Sequence, residues 1–435
     1  MENIEYSGYW WLPSDPDKKI ASTLTFTNDE GIKLQLIGSL HNFSLNVPII
    51  LGVVHGKIIT ICDCINSSSR ISSPGFSSQE YISEFALIGR HFSKPDEILF
   101  HKGNVQYSYL SDWGELPAIK KEPDFAEDWN KERELRFIYT RPETIEAITT
   151  YGKFSVIYYW SEAGKRESIN FQQFISLTIQ PNEEKLSFKD ICSKFIGHLN
   201  DFITFATDRT NSITKLEVYS YYGDVDVDLE KIPYTIEQLP IKALYKTNYP
   251  ERKERNRLLI HGEMYSEMLF SISDIDNLSS TMERWFDSWE KLASTFNLFF
   301  SIRYKPDIYL ENKFINLVHA VESYHRRLIK EEEILIERLK GLVKQTSEVT
   351  NQLIQDKDLF FTKVIDTRNY LTHYRESKKK KAAQREELSC LTELLSFILQ
   401  ACFLTELGFT SEQCYQLLNR NDRYQKTVEI IRNKM

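Results

Sequence analysis

No apolar run in the 435-residue sequence approaches the roughly eighteen residues that a membrane-spanning helix requires. The longest, VPIILGVV and LLSFILQACFL, read as a buried strand and a buried helix, so no membrane partner is expected. The opening MENIEYSGYWWLPSDP lacks the basic start and apolar core of a secretory signal. Cysteine is sparse and unpatterned: Cys62, Cys64, Cys192, Cys390, Cys402 and Cys414 show no zinc spacing and are expected as reduced thiols of a cytoplasmic protein. No internal repeat is present, and the only low-complexity tract is the run Lys378 to Lys381. Positive charge is in deficit, with 54 Lys and Arg against 62 Asp and Glu for a net charge of -8. A field of that sign repels nucleic acid, so any RNA contact requires a local basic patch.

Three near-motifs each lack the residue that their chemistry needs. Gly52-x-x-x-Gly56-Lys57 is one residue short of a phosphate-binding loop and has Ile58 where a magnesium-binding Ser or Thr belongs. Asp224-Val225-Asp226-Val227-Asp228 starts like a calcium loop, but Leu229 takes the glycine position and Thr235 the place of the bidentate glutamate. Gly75-Phe76-Ser77-Ser78-Gln79 lacks the second glycine of a nucleophile elbow. No cofactor and no metal is expected.

What the chain has is the composition of a globular protein, 41% hydrophobic and 27% charged, at a length that implies two or three domains. From Gly8 to about Leu116, short β-branched and aromatic runs alternate with turn residues. Ala21 to Phe26 and Ile32 to Leu40 flank a glycine-closed hairpin loop, and Val47 to Val54, Ile58 to Ile65, Tyr81 to Ile88 and Ile98 to Leu110 continue the pattern. GYWWLP reads as sheet core in preference to a ligand-contacting aromatic surface. Pro117 to Glu134 reads as a linker or surface loop. Strands resume at Phe154 to Trp160 and Phe171 to Ile179. An amphipathic helix is predicted over Leu186 to Ala206, then strands at Lys215 to Tyr222, Ile241 to Lys246 and Leu258 to Tyr265.

Near Asp274 the period becomes helical. Helices are predicted at about 278–302, 308–330, 332–350, 354–375 and 382–407, with short ones after Thr410 and Asp422. The expectation is an α+β multidomain chain. A β-rich region, sandwich or barrel-like with a few helices, occupies 1–275 and is divisible near 117–134; an all-α bundle occupies 276–435.

Within the helix predicted at 354–375 lies Asp366 to Tyr374, DTRNYLTHY, with Arg368, Asn369 and His373 in an R-N-x-x-x-H arrangement. Arg368 falls in the apolar stripe Phe361, Val364, Ile365 and Leu371, where an arginine is costly unless it opens onto a groove or meets an anion. Asp366, Asn369 and His373 line an adjacent stripe, so the Asn369 amide is expected to hold the His373 ring. A second copy of the pattern, Arg255 to His261, has strand texture and is set aside as a basic surface loop. Glu322 and His325 interrupt the apolar face of NKFINLVHAVESYHRRLI, which suggests a polar pocket. The plainer reading is a structural ion pair between Glu322 and Arg368.

The bundle with R-N-Y-L-T-H, preceded by FINLVHAVESYHRR, resembles the HEPN superfamily of ribonucleases. GYWWLPSDPDKKIASTLTF followed by IKLQLIGSL resembles the N-terminal domain of the ApeA anti-phage proteins, which couple such a domain to a C-terminal HEPN nuclease. The resemblance implies an abortive-infection endoribonuclease with Arg368 and His373 catalytic and Asn369 the polar residue after the arginine. It implies further that the substrate is RNA, with transfer RNA a candidate, and that residues 1–275 restrain the nuclease until a phage-derived trigger arrives.

The chemistry agrees with these residue types. RNA carries its own nucleophile in the 2′-hydroxyl; histidine suits the two proton transfers and arginine the phosphate. One motif supplies one histidine, whereas acid and base call for two groups. The second comes either from another chain across a two-fold helical face, as the family implies, or from His325 within one chain. Arg375, Lys378, Lys379, Lys380, Lys381 and Arg385 form a run that is either a solvated face or a phosphate-gripping edge. The competing classes are a catalytically silent dimerisation or RNA-binding module, and a β-domain binder of carbohydrate or peptide on a helical scaffold.

Overall fold

The computed structural model describes residues 1, 3–40, 45–70, 72, 74–117, 119–123, 135–183, 185–220, 239–247, 266–305 and 307–434. These fall into two compact units. The first comprises Met1–Ile148, Gly152–Ile196 and Ser212–Asn248; the second comprises Thr149–Tyr151, Gly197–Asn211 and Tyr249–Met435.

In the first unit β1 (Ile4–Leu12), β2 (Asp15–Thr27), β3 (Gly31–Ile37), β4 (Asn46–Val54), β5 (Lys57–Arg70) and β6 (Ser78–Ser83) form a closed antiparallel barrel in the order β4-β1-β2-β3-β6-β5. Closure leaves no free edge within those six strands. Alternation along β2 and β3 puts Leu24, Phe26, Leu34 and Leu36 inside. Trp10 is fully buried, and its ring lies so close over β4 that a Cβ at Gly52 would sit 2.2 Å from it. GYWWLP is thus core at Trp10, with only Tyr9 strongly exposed. Gly52 and Gly56 serve packing and a tight turn, since His55 and Gly56 both take positive φ between Val54 and Lys57.

The run Tyr81 to Ile88 divides in two. β6 pairs with the distal half of β5 and β7 (Phe85–Ile88) with its proximal half, and the Ser83 hydroxyl donates to the Cys62 carbonyl at the fork. From β7 the sheet extends through β17 (Ile241–Tyr245), β16 (Ile213–Tyr219), β9 (Lys102–Tyr107), β14 (Ser168–Pro181), β13 (Gly152–Lys165) and β12 (Ile145–Ile148). The short α1 (Leu110–Trp113) follows β9. β8 (Leu99–Phe100) pairs with β15 (Leu186–Ser187), and α2 (Phe188–Ile191) stacks Phe188 on Phe85 at 4.4 Å. Within 117–134, β10 (Lys120–Pro123) pairs antiparallel with β11 (Leu135–Ile138), since backbone pairing does not require an apolar run, and 124–134 lie outside the described residues. The strand predicted at 258–265, the Asp224 to Asp228 stretch and the Arg255 to His261 copy lie outside the described residues.

The second unit is helical: α3 (Gly197–Thr207), α4 (Leu278–Tyr304), α5 (Leu310–Leu328), α6 (Leu335–Gln345), α7 (Ser347–Thr350), α8 (Lys357–His373), α9 (Glu376–Lys379), α10 (Arg385–Leu407), α11 (Ser411–Arg420) and α12 (Asp422–Lys434). The helix expected over 186–206 appears as α2, a π-helical turn over Cys192–Ile196, and α3. α3 belongs to this helical unit because Phe202 and Phe205 find aromatic partners in Phe270, Trp285, Phe299 and Phe403. Its far end is fixed by Asp208, which pairs with Arg303 of α4 and with Arg423 of α12. A boundary at 275 is therefore not one clean cut in the chain. Among the described helices α10 is long and apolar enough to cross a membrane, and its side chains instead fill the core of this unit until Gly408, at φ +102, closes it.

Candidate active site

Asp356 starts α8 by accepting the Leu359 amide at 2.9 Å, and Phe360, Phe361 and Val364 bury its inner face. The next inward position is Thr367, fully buried, whose hydroxyl accepts the Ala383 amide at 2.8 Å. Arg368 therefore stands at the edge of the stripe, half-buried. Its Nη1 donates to Asn369 Oδ1 at 3.2 Å, and its Nη2 lies 3.7 Å from Glu322 Oε1 of α5. Its Nε is buried without a hydrogen-bond partner among the described residues. Asn369 Oδ1 thus accepts from Arg368, and no Asn369–His373 hydrogen bond is found among the described residues.

His373 is the last residue of α8 and is exposed. Tyr374 follows in the left-handed conformation, φ 49° and ψ 34°, with its amide donating to the Tyr370 carbonyl at 2.6 Å. Helix geometry separates Arg368 and His373 by about 7.5 Å along the axis and about 140° around it. The helix closes at His373 and Tyr374. There the basic run begins. Arg375, Lys378, Lys379, Lys380 and Lys381 are all exposed, and Lys379 pairs with Glu376 at 3.0 Å. The run returns to α8 through buried Ala382 and Ala383, pinned by the Thr367 bond one residue before Arg368.

Arg368, Asn369 and Glu322 are thus brought together, with the basic loop beside them; His325 is not. It is buried, its Nδ1 lies 3.3 Å from Arg338 Nη1 and its Nε2 faces Gly341 of α6. Burial, and then the Arg338 charge, push its pKa below the usual histidine value. Because a guanidinium only donates, Nδ1 is the accepting nitrogen of this buried ring.

Sequence reasoning missed Arg338. It is 2% exposed and donates to the carbonyls of Glu322, Lys330, Glu331 and Glu333 as well as facing His325, so one guanidinium satisfies the turn between α5 and α6. The signal was available, since Arg338 shares the apolar stripe of Leu339, Leu342 and Val343 as Arg368 shares its own. Among the described residues no group of three or more His, Cys, Asp or Glu side chains is placed to hold a metal ion.

The His325 environment has a measurable consequence. Its folded pKa lies below the unfolded value of 6.5, so the unfolded chain binds the extra proton and stability falls as pH drops through 6.5 toward the folded value. The melting temperature of the full chain is expected to fall more steeply between pH 7.5 and 5.5 than that of His325→Gln. Parallel curves would mean that His325 is protonated alike in both states.

A family model of the ApeA N-terminal domain 1 matches residues 5–285, and one of the ApeA-like HEPN domain matches 315–413. The chain belongs to the ApeA family. No curated protein and no solved structure matches it significantly. As an ApeA-type protein it is a HEPN protein of anti-phage defence, and the HEPN family is in general one of ribonucleases. Within this ApeA chain the HEPN match takes in Glu322, Arg338, Arg368, His373 and the whole basic loop. The β-rich, barrel-containing N-terminal region followed by a helical C-terminal region agrees with the α+β expectation.

Proposed function

We propose that this chain is an abortive-infection endoribonuclease that cleaves RNA, with transfer RNA a candidate, without a metal ion. The supporting observation is the constellation at the end of α8: exposed His373, Arg368 with a buried unpartnered Nε, and a lysine loop tied beside them through Thr367. Arg368 binds the scissile phosphate, while Glu322 and Asn369 hold its guanidinium. One His373 takes the proton from the 2′-hydroxyl as its oxygen bonds to phosphorus. A second His373, from a two-fold related copy, gives a proton to the 5′-oxygen as the P–O5′ bond breaks. We infer that the second group comes from a homodimer through the helical domain, a reading that the burial of His325 supports. The exposed lysines supply the local positive field that a chain of net charge -8 otherwise lacks. Residues 1–275 sense a phage-derived trigger and restrain cleavage, in the cytoplasm.

The products test this reading. Cleavage is expected to leave 2′,3′-cyclic phosphate and 5′-hydroxyl ends and to proceed unchanged in a chelator such as EDTA. Products with 3′-hydroxyl ends, or loss of cleavage on chelation, would point to metal-dependent hydrolysis instead. The second reading, a silent RNA-binding or dimerisation module, is favoured by one observation: the Glu322 carboxylate already neighbours Arg368.

A further inference from the structure

We propose that Tyr374 is a stacking platform for an unpaired RNA base beside the phosphate held at the end of α8. The proposal rests on the RNA-directed reading of that site. Tyr374 is 65% exposed although it directly follows His373 at the close of a packed helix. Its left-handed φ of 49° is one that glycine or asparagine adopts more readily, so helix termination does not explain a tyrosine here. Nor does core packing, given its exposure. Its ring is nevertheless held: the Tyr370 ring meets it at 5.6 Å and 62°, edge to face.

The surroundings match a nucleic-acid chain. Arg375 follows at once, and Lys378, Lys380 and Lys381 are exposed with no carboxylate partner among the described residues. An aromatic face for a base, next to cations for the flanking phosphates, is the pairing that binds single-stranded nucleic acid without sequence preference. A stacked base must leave its own helix, so the expected ligand is a looped or single-stranded nucleotide and not a duplex step.

The test uses the full-length chain carrying His373→Ala, so that RNA stays intact, and fluorescence anisotropy with a labelled single-stranded RNA of randomised sequence and with a duplex. Adding Tyr374→Gly is expected to weaken single-strand binding about tenfold and duplex binding far less, while Tyr374→Phe restores single-strand affinity. The glycine variant should melt no lower than its parent, because glycine suits the left-handed cap. Unchanged single-strand affinity in Tyr374→Gly overturns the proposal, as does an equal loss for duplex, or a shift in oligomeric state alone. Cleavage with His373 intact separates the two readings. A chain that binds RNA through Tyr374 yet cuts none loses the nuclease reading and keeps the platform; a chain that cuts, with affinity indifferent to Tyr374, loses only the platform.

Discussion

Alanine in place of His373 is expected to lower RNA cleavage by about a thousandfold, the range lost when a general acid–base group is removed. Arg368→Ala is expected to cost roughly a hundredfold or more, through loss of the charge that meets the phosphate. The His373 side chain is exposed and makes no hydrogen bond among the described residues, so its removal should leave the melting temperature almost unchanged. Arg368 is half-buried against Glu322, and Arg368→Lys, which keeps the charge but not the fork, separates its two roles. The proposed sharing of one cleft by two His373 side chains is testable. Co-expressed His373→Ala chains should suppress the wild-type protein by forming mixed dimers, beyond what dilution explains. Steady-state cleavage of a labelled RNA by purified or co-expressed chains checks the rate statements and thermal melts the stability one, and a His373→Ala chain that cuts at the wild-type rate would remove the histidine from the mechanism.

The largest effect on stability is expected at Arg338, away from the proposed chemistry. Arg338→Leu leaves the carbonyls of Glu322, Lys330, Glu331 and Glu333 and the buried His325 ring without their common donor. The cost should be about 3 kcal/mol or more. For a unit of this size that is a fall of roughly 10 °C in melting temperature. Hydrogen exchange should locate the loosening at the turn between α5 and α6. A melting temperature within a degree or two of wild type would show that water replaces the guanidinium there.

The helical third was legible because its apolar residues recur at helical spacing and Gly408 marks a break that the structure places at the close of α10. The barrel strands were legible from β-branched and aromatic runs broken by turn residues. Their closure was not, because β6 pairing with both β3 and β5 is a long-range choice that no local pattern encodes. The same holds for α3. Its amphipathic face was plain in sequence, but its partners, Trp285, Phe299 and Phe403, lie many residues downstream, so it read as part of the β-rich region. A fragment starting at 276 would strip that aromatic face from the helical unit. At the site, an arginine in an apolar stripe flagged Arg368 and its contact with Glu322, and the same test applied to the stripe of α6 would have found Arg338. Tyr374 escaped because its peculiarity is a backbone angle.

The most direct test of the central claim is phage challenge of bacteria expressing the wild-type chain, Arg368→Ala or His373→Ala at matched levels, with total RNA examined for new fragments. The account expects protection and RNA fragmentation together in the wild type, and neither in the two variants. Protection retained after replacement of His373 would contradict it and move the defensive activity to the N-terminal β-rich region.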